Sequence, residues 1–243
     1  VYAYTFGVLL NALPPWASYW SWILIVELMF MINILIVFQY PISLVRKSII
    51  AAMWMAFSPY YIELHIGQQS MVTVTLLHLV ILMELKSRIG LRDTSYVLSV
   101  LWKINTVLFV PLWVKLKRTK TIFILVFLSI VLSAPYFLLV DGSFPEFVSY
   151  FKHKFIAVGP NSLGFWALAA NILQDFQLPQ NVIKSFLSSW SLLILTITSL
   201  ATLLPRRIDF KTALAAWISV YFLTYQYVWE HHYVMILPVI SIL

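Results

Sequence analysis

Long apolar runs, separated by short polar or basic connections, set the pattern of this chain. A bilayer core needs about 20 apolar residues per helix. Runs near that length occupy 19–38, 48–64, 70–85, 121–140, 183–204 and 212–228, and another begins near Tyr233. Two segments fit less simply. Residues 94–114 are long enough to cross but carry Lys103 at the middle and Pro111 near the end. Residues 163–173 are too short to cross and suit an interfacial helix. The pattern predicts an all-α, polytopic membrane bundle of about seven to eight segments, one of them a re-entrant or broken pair. It forms a single transmembrane domain over 1–243.

Short cytoplasmic loops are enriched in Lys and Arg, so the basic residues orient the bundle. If 94–114 crosses, 8 loop charges face the cytoplasm and 7 the outside, which is no bias. If that segment is broken or re-entrant, the count becomes 12 inside against 3 outside (Lys152, Lys154 and Lys184), with Lys103 held in the membrane. The second arrangement is the one expected. A charge at that depth costs about 2.5–3.5 kcal/mol on insertion scales and normally faces a polar cavity. Residues 1–16, 63–69, 141–182 and 229–232 then share one extracytoplasmic face. That face gathers Asn11, Glu63, His65, Gln68, Gln69, Asn161, Ser162, Glu230, His231 and His232.

Composition sharpens this picture. Of 243 residues, 62% are apolar and only 10% charged, with a mean hydropathy of +0.90. A water-soluble domain of this size carries about a quarter charged residues, so a soluble enzyme is excluded. The basic run Lys115–Lys120 reads as a cytoplasmic anchor, and no nucleic-acid partner is expected. With no cysteine there is neither a disulfide framework nor a thiolate metal site. No Walker, GxGxxG, HExxH or GxSxG pattern occurs, so nucleotide, zincin and hydrolase chemistry lack a motif.

Each polar candidate has a bland alternative. Gln68 and Gln69 follow Gly67 at the start of an apolar run. Their amides could meet a sugar hydroxyl or a phosphate oxygen, or line an ordinary loop. Lys103 could neutralise a lipid phosphate, or form an ion pair with Glu84 or Glu27. Adjacent histidines on a helix point about 100° apart, a poor geometry for one metal. His231 or His232 could instead carry a proton or touch a phosphate, or belong to an interfacial aromatic belt. Glu27 and His78 lie inside apolar runs, where a lone polar group is often a helix–helix hydrogen bond.

In order, Leu13-Pro14-Pro15-Trp16, Ser58-Pro59, Gly67-Gln68, Lys103 with Pro111, Asn161-Ser162, and Glu230-His231-His232-Tyr233 before Pro238 form a recognisable series. The chain resembles the C-fold glycosyltransferases that use polyprenyl-phosphate sugars, in family 87, which contains the mycobacterial phosphatidylinositol mannoside mannosyltransferase. The resemblance runs over nearly the whole chain. It implies inverting transfer of a hexose, mannose by family, from a polyprenyl-phosphate donor to a lipid or glycan acceptor on the extracytoplasmic face. It places Lys103, Gln68, His231 and His232 at the donor phosphate, and Asn161, Ser162 and Glu230 at substrate. No cofactor is assigned, and a divalent metal is left open. The family's general base is an Asp in the first outer loop; no residue here matches it, so it is expected upstream of Val1, and the chain as given is expected to be inactive. The alternative outside this family is a transporter or channel with an ion path through Glu27, His78, Lys103 and the histidine pair.

Overall fold

The computed structural model describes residues 6–66, 68–153, 162–204, 208–225 and 228–241, all α-helix, 3-10 helix or connection, with no strand among them. The chain gathers into two compact units, one of Val1–Val107 with His231–Leu243, the other of Leu108–Glu230.

The first unit holds α1 (Phe6–Asn11), α2 (Pro15–Phe38), α3 (Leu44–Met55), α4 (Ser58–Ile66), α5 (Ser70–Leu85), α6 (Ile89–Trp102) and the short α13 (Leu237–Ile240). The apolar run 48–64 is not one helix. It divides into α3 and α4 around Ala56 and Phe57, because Pro59 lacks an N–H and is accommodated only in a helix's first turn. Helix α5 keeps the predicted bounds and is the core of this unit: Met71, Val74, Leu77 and Val80 are buried, and so are Ser70, Thr73, Thr75 and His78. It ends in a Schellman turn, in which Arg88 N–H donates to Met83 O at 2.8 Å and Ser87 N–H to Glu84 O at 3.0 Å. Ser87 takes a left-handed φ of 55° to make this turn without a glycine. The chain then reverses into α6. Arg92 of α6 is buried against Glu84 (2.5 Å) and Asp93 (2.7 Å), so one of the 12 charges ascribed to the cytoplasmic loops belongs to a buried ion-pair network.

The segment 94–114 is broken, and the break falls on Lys103. Helix α6 stops at Trp102, Lys103 is extended (φ −139°, ψ 111°), and Ile104–Phe109 forms a 3-10 helix. A continuing helix would use the Lys103 carbonyl for residue 107. Here Thr106 takes it instead, through its hydroxyl at 3.2 Å, and the same hydroxyl accepts from Ser99 Oγ at 3.1 Å. This is the local competition by which Thr and Asn side chains undo a helix.

The second unit holds α7 (Val110–Lys115), α8 (Thr119–Leu139), α9 (Ser143–His153), α10 (Phe165–Asp175), α11 (Gln180–Leu203) and α12 (Phe210–Thr224). Its small core packs Trp166 and Ala170 of α10 against Ile183 and Leu187 of α11. Indole N–H groups tie helices here: Trp166 donates to Ser191 Oγ (2.7 Å) and Trp217 to Thr202 Oγ1 (3.0 Å). Asp209 caps α12, accepting from Thr212 N–H at 3.0 Å. Those hydrogen bonds hold its carboxyl below the usual carboxylate range.

Among the described residues, three helices are long and apolar enough to cross a membrane: α2, α8 and α11. At 1.5 Å per residue, 24, 21 and 24 residues reach about 36, 32 and 36 Å, against a hydrocarbon core of about 30 Å. Helices α5 and α12, with 16 and 15 residues, are shorter apolar helices.

Candidate functional site

The polar residues of the first unit converge on the turn that starts α5. Glu63, in the last turn of α4, holds this turn twice. Its main-chain carbonyl accepts from Gln68 N–H at 3.1 Å, and its carboxylate Oε1 accepts from Met71 N–H at the head of α5. Two indoles brace the same stretch from neighbouring helices. Trp22 Nε1 donates to the Gln68 carbonyl (3.2 Å) and Trp102 Nε1 to the Gln69 carbonyl (3.3 Å). The main chain of the turn is thus committed to structure. The Gln68 side chain, partly exposed, is left to present its amide.

Lys103 reaches this turn because the helix breaks at it. The extended backbone turns its side chain to α5, where Nζ donates to Ser70 Oγ at 2.8 Å. Neither carboxylate weighed as its ion-pair partner takes that role: Glu84 is held by Arg92, and Glu27 makes no pair with Lys103. The carboxylate within its field is Glu63, which is fully buried. The two do not touch in a direct ion pair. Glu63 Oε2 is buried without a hydrogen-bond partner, and so is Gln69 Oε1. One ammonium, a buried carboxylate, a buried serine hydroxyl and two glutamine side chains therefore share one corner of the fold.

His231 and His232 lie in the 3-10 helix Glu230–Ile236, at the start of the short apolar helix His231–Ile240. Both imidazoles are buried, their ring centroids 4.3 Å apart and their planes at 63°. Burial first, and the charge of Lys103 second, push the His231 imidazole down to about 4. At neutral pH it is uncharged, so it offers one N–H donor and one acceptor, not a cation. Of the residues expected at a donor phosphate, Lys103 and His231 thus feel each other's field, and Gln68 shares a turn with Ser70.

Of the expected substrate contacts, Ser162 is the one whose side chain the structure describes. Asn161 and Gly67 lie outside the described residues, as does the side chain of Glu230. Ser162, in the second unit, is a tie between loops. Its hydroxyl accepts from Val228 N–H at 3.2 Å and donates to Val228 O at 3.3 Å, and Leu163 N–H adds a 2.6 Å bond to the same carbonyl. The next residue, Gly164, lies so close that an added Cβ would sit 2.8 Å from Val228 Cγ2.

His78 follows the bland alternative. Its Nδ1 meets Asn33 Oδ1 at 2.9 Å, while Asn33 Nδ2 donates to Thr75 Oγ1 at 2.7 Å, and the imidazole stacks on Trp54 with centroids 5.2 Å apart. Because Asn33 uses its amide nitrogen on Thr75, the His78 Nδ1 must carry the proton. Among the described residues, no group of three or more His, Asp or Glu side chains could hold a metal ion.

Glu63, Ser70 and the two bracing indoles are contributors that the sequence did not single out. The only signal of Glu63 was its place in the outer polar set, and its partner lies 40 residues away. No family model, no curated protein and no solved structure matches the chain.

Proposed function

We propose that this protein is a multi-pass membrane glycosyltransferase that moves a hexose, mannose by family resemblance, from a polyprenyl-phosphate donor to a lipid or glycan acceptor on the extracytoplasmic face, with inversion. The observation that carries the reading is the ammonium of Lys103. It is delivered by a helix break to a polar turn, with one N–H spent on Ser70 Oγ at 2.8 Å and two left for a ligand. In the transfer, the bond from the sugar's C1 to the phosphate oxygen breaks as the acceptor oxygen bonds C1; the phosphate keeps the electron pair, and the acceptor hydroxyl gives its proton to a general base. Preorganised donors at the departing oxygen lower that barrier. Lys103 supplies charge and the Gln68 amide supplies N–H groups; the family resemblance adds His231 and His232 to that set.

Membrane insertion is supported by the surface of α8. Among its residues only Thr121 and Leu125 are buried, and Phe123, Ile130, Leu138 and Leu139 stand exposed. Apolar area on this scale along one helix calls for lipid or a partner to cover it. Lipid fits the seven to eight segments read from the sequence.

The test is transfer from labelled polyprenyl-phosphate mannose by the full-length protein in lipid. Lys103→Ala is expected to lower kcat/KM about 100-fold or more, the scale of one lost charged donor at a developing anion. Transfer at an unchanged rate would overturn the role of Lys103, and absence of transfer with any polyprenyl-phosphate hexose would overturn the reading as a whole.

A further inference from the structure

Glu63 is a carboxylate placed where an anion-binding enzyme would be expected to avoid one. It is fully buried, it accepts from Met71 N–H at the head of α5, and its second oxygen has no hydrogen-bond partner. A helix N-terminus attracts anions, and here the protein fills that place with its own. Burying a charge is costly unless another compensates it, and the cation available is Lys103. The two meet through Ser70, which receives the lysine's hydrogen bond at the residue preceding Met71.

We infer that Glu63 is a positioning residue for Lys103: a resident anion that keeps the ammonium charged and seated against Ser70, with its remaining N–H groups free for the donor's phosphate. The inference rests on the reading of Lys103 as a phosphate ligand. The geometry separates Glu63 from the two other roles open to a carboxylate. It is not a general base, because its carboxylate is fully buried and one oxygen is committed to α5. It is not a direct ion-pair partner, so a phosphate need not displace it. The charged and titratable groups in the field of Lys103 are Glu63 from α4 and His231 from the 3-10 helix ahead of α13. His231 is neutral at physiological pH, so among the described residues Glu63 is the anion in the field of Lys103.

The experiment measures two quantities on the full-length protein in nanodiscs: thermal stability, and the affinity for polyprenyl phosphate as a function of pH. Glu63→Gln keeps an acceptor for Met71 N–H and removes only the charge. Its alkaline fall in affinity is expected about one pH unit closer to neutrality than in the wild type, as follows from removing an anion near an ammonium. Lys103→Met is expected to lower the unfolding temperature in the wild-type background and much less in the Glu63→Gln background, since the double variant leaves no uncompensated charge. Ser70→Ala preserves both charges, and so lowers affinity about fivefold, the scale of one hydrogen bond, with the alkaline limb in place. An alkaline limb that Glu63→Gln leaves where it was, additive thermal shifts, or an affinity indifferent to Ser70→Ala would each overturn the inference. If the wild type binds no polyprenyl phosphate, the phosphate reading fails and the inference with it, whereas binding with additive variants defeats the inference alone. Should Glu63→Gln not fold alone, the double variant Glu63→Gln/Lys103→Met decides it: recovery of the fold supports the charge pairing, and failure to recover overturns it.

Discussion

Helices α5 and α8 are both apolar runs, yet they are used in opposite ways. Helix α5 is the hub of its unit, with ten of its 16 residues buried, among them Ser70, Thr73, Thr75 and His78. Helix α8 is longer, and only Thr121 and Leu125 are buried. Hydropathy does not separate them; buried polar content does. A buried polar side chain must find a partner, so a helix that carries several is committed to protein on that face. In α5, Ser70 meets Lys103, Thr75 meets Asn33 and the Met71 carbonyl, and His78 meets Asn33, while the Thr73 hydroxyl is buried without a partner. Helix α8 has little of this kind to satisfy, and its apolar surface is free for lipid.

The largest expected effects test the two helices directly. Leu77 of α5 is fully buried, and Leu77→Ala is expected to cost about 2–5 kcal/mol in unfolding free energy. Leu138 of α8 is 81% exposed, and the same truncation there should stay within about 0.5 kcal/mol. Equal losses would dissolve the contrast. Ile130→Lys separates lipid from water on α8. Residue 130 is exposed, so in water a lysine is harmless, whereas at mid-bilayer it costs about 2.5–3.5 kcal/mol and should block insertion in a translocation assay.

Smaller effects probe the polar commitments. Asn33→Leu keeps the volume and strands the His78 N–H, for an expected loss of about 1–3 kcal/mol in thermal or denaturant unfolding. Asp209→Ala removes the α12 cap, with an expected loss of about 1 kcal/mol. Since the folded Asp209 carboxyl is held below its unfolded value, its stabilisation is complete above the ordinary carboxylate range and fades as pH falls through the folded value. Thermal scans at acid and neutral pH should therefore show the wild type converging on Asp209→Ala in acid, and a constant gap would refute the cap.

The helices were largely legible because long apolar runs leave few alternatives, and α5 was read to its final residue. The 48–64 run misled because hydropathy is blind to a missing N–H; Pro59 was visible, but its cost belongs to backbone geometry. The break at Lys103 could be anticipated from charge bookkeeping, while its staple, from Ser99 through Thr106 to the Lys103 carbonyl, is a matter of local hydrogen bonding. The site was half legible. Lys103 stood out as a charge in an apolar run. Glu63 did not, because a glutamate at the end of an apolar run looks like ordinary solvation until the fold brings α4 against the head of α5. Ser162 was visible as a polar residue in a long loop, but its bonds to Val228 span 66 residues, and no local pattern encodes them.

The spacing of Glu63 and Lys103 also sets a clock. Forty residues separate them, and at 5–20 residues per second a ribosome needs roughly 2–8 s to make that stretch. Through that interval the carboxylate of the newborn chain lacks Lys103, while Trp22 and Asn33, already synthesised, can dock on the turn and on α5. Synthesis thus makes the anion of this corner first and its cation last.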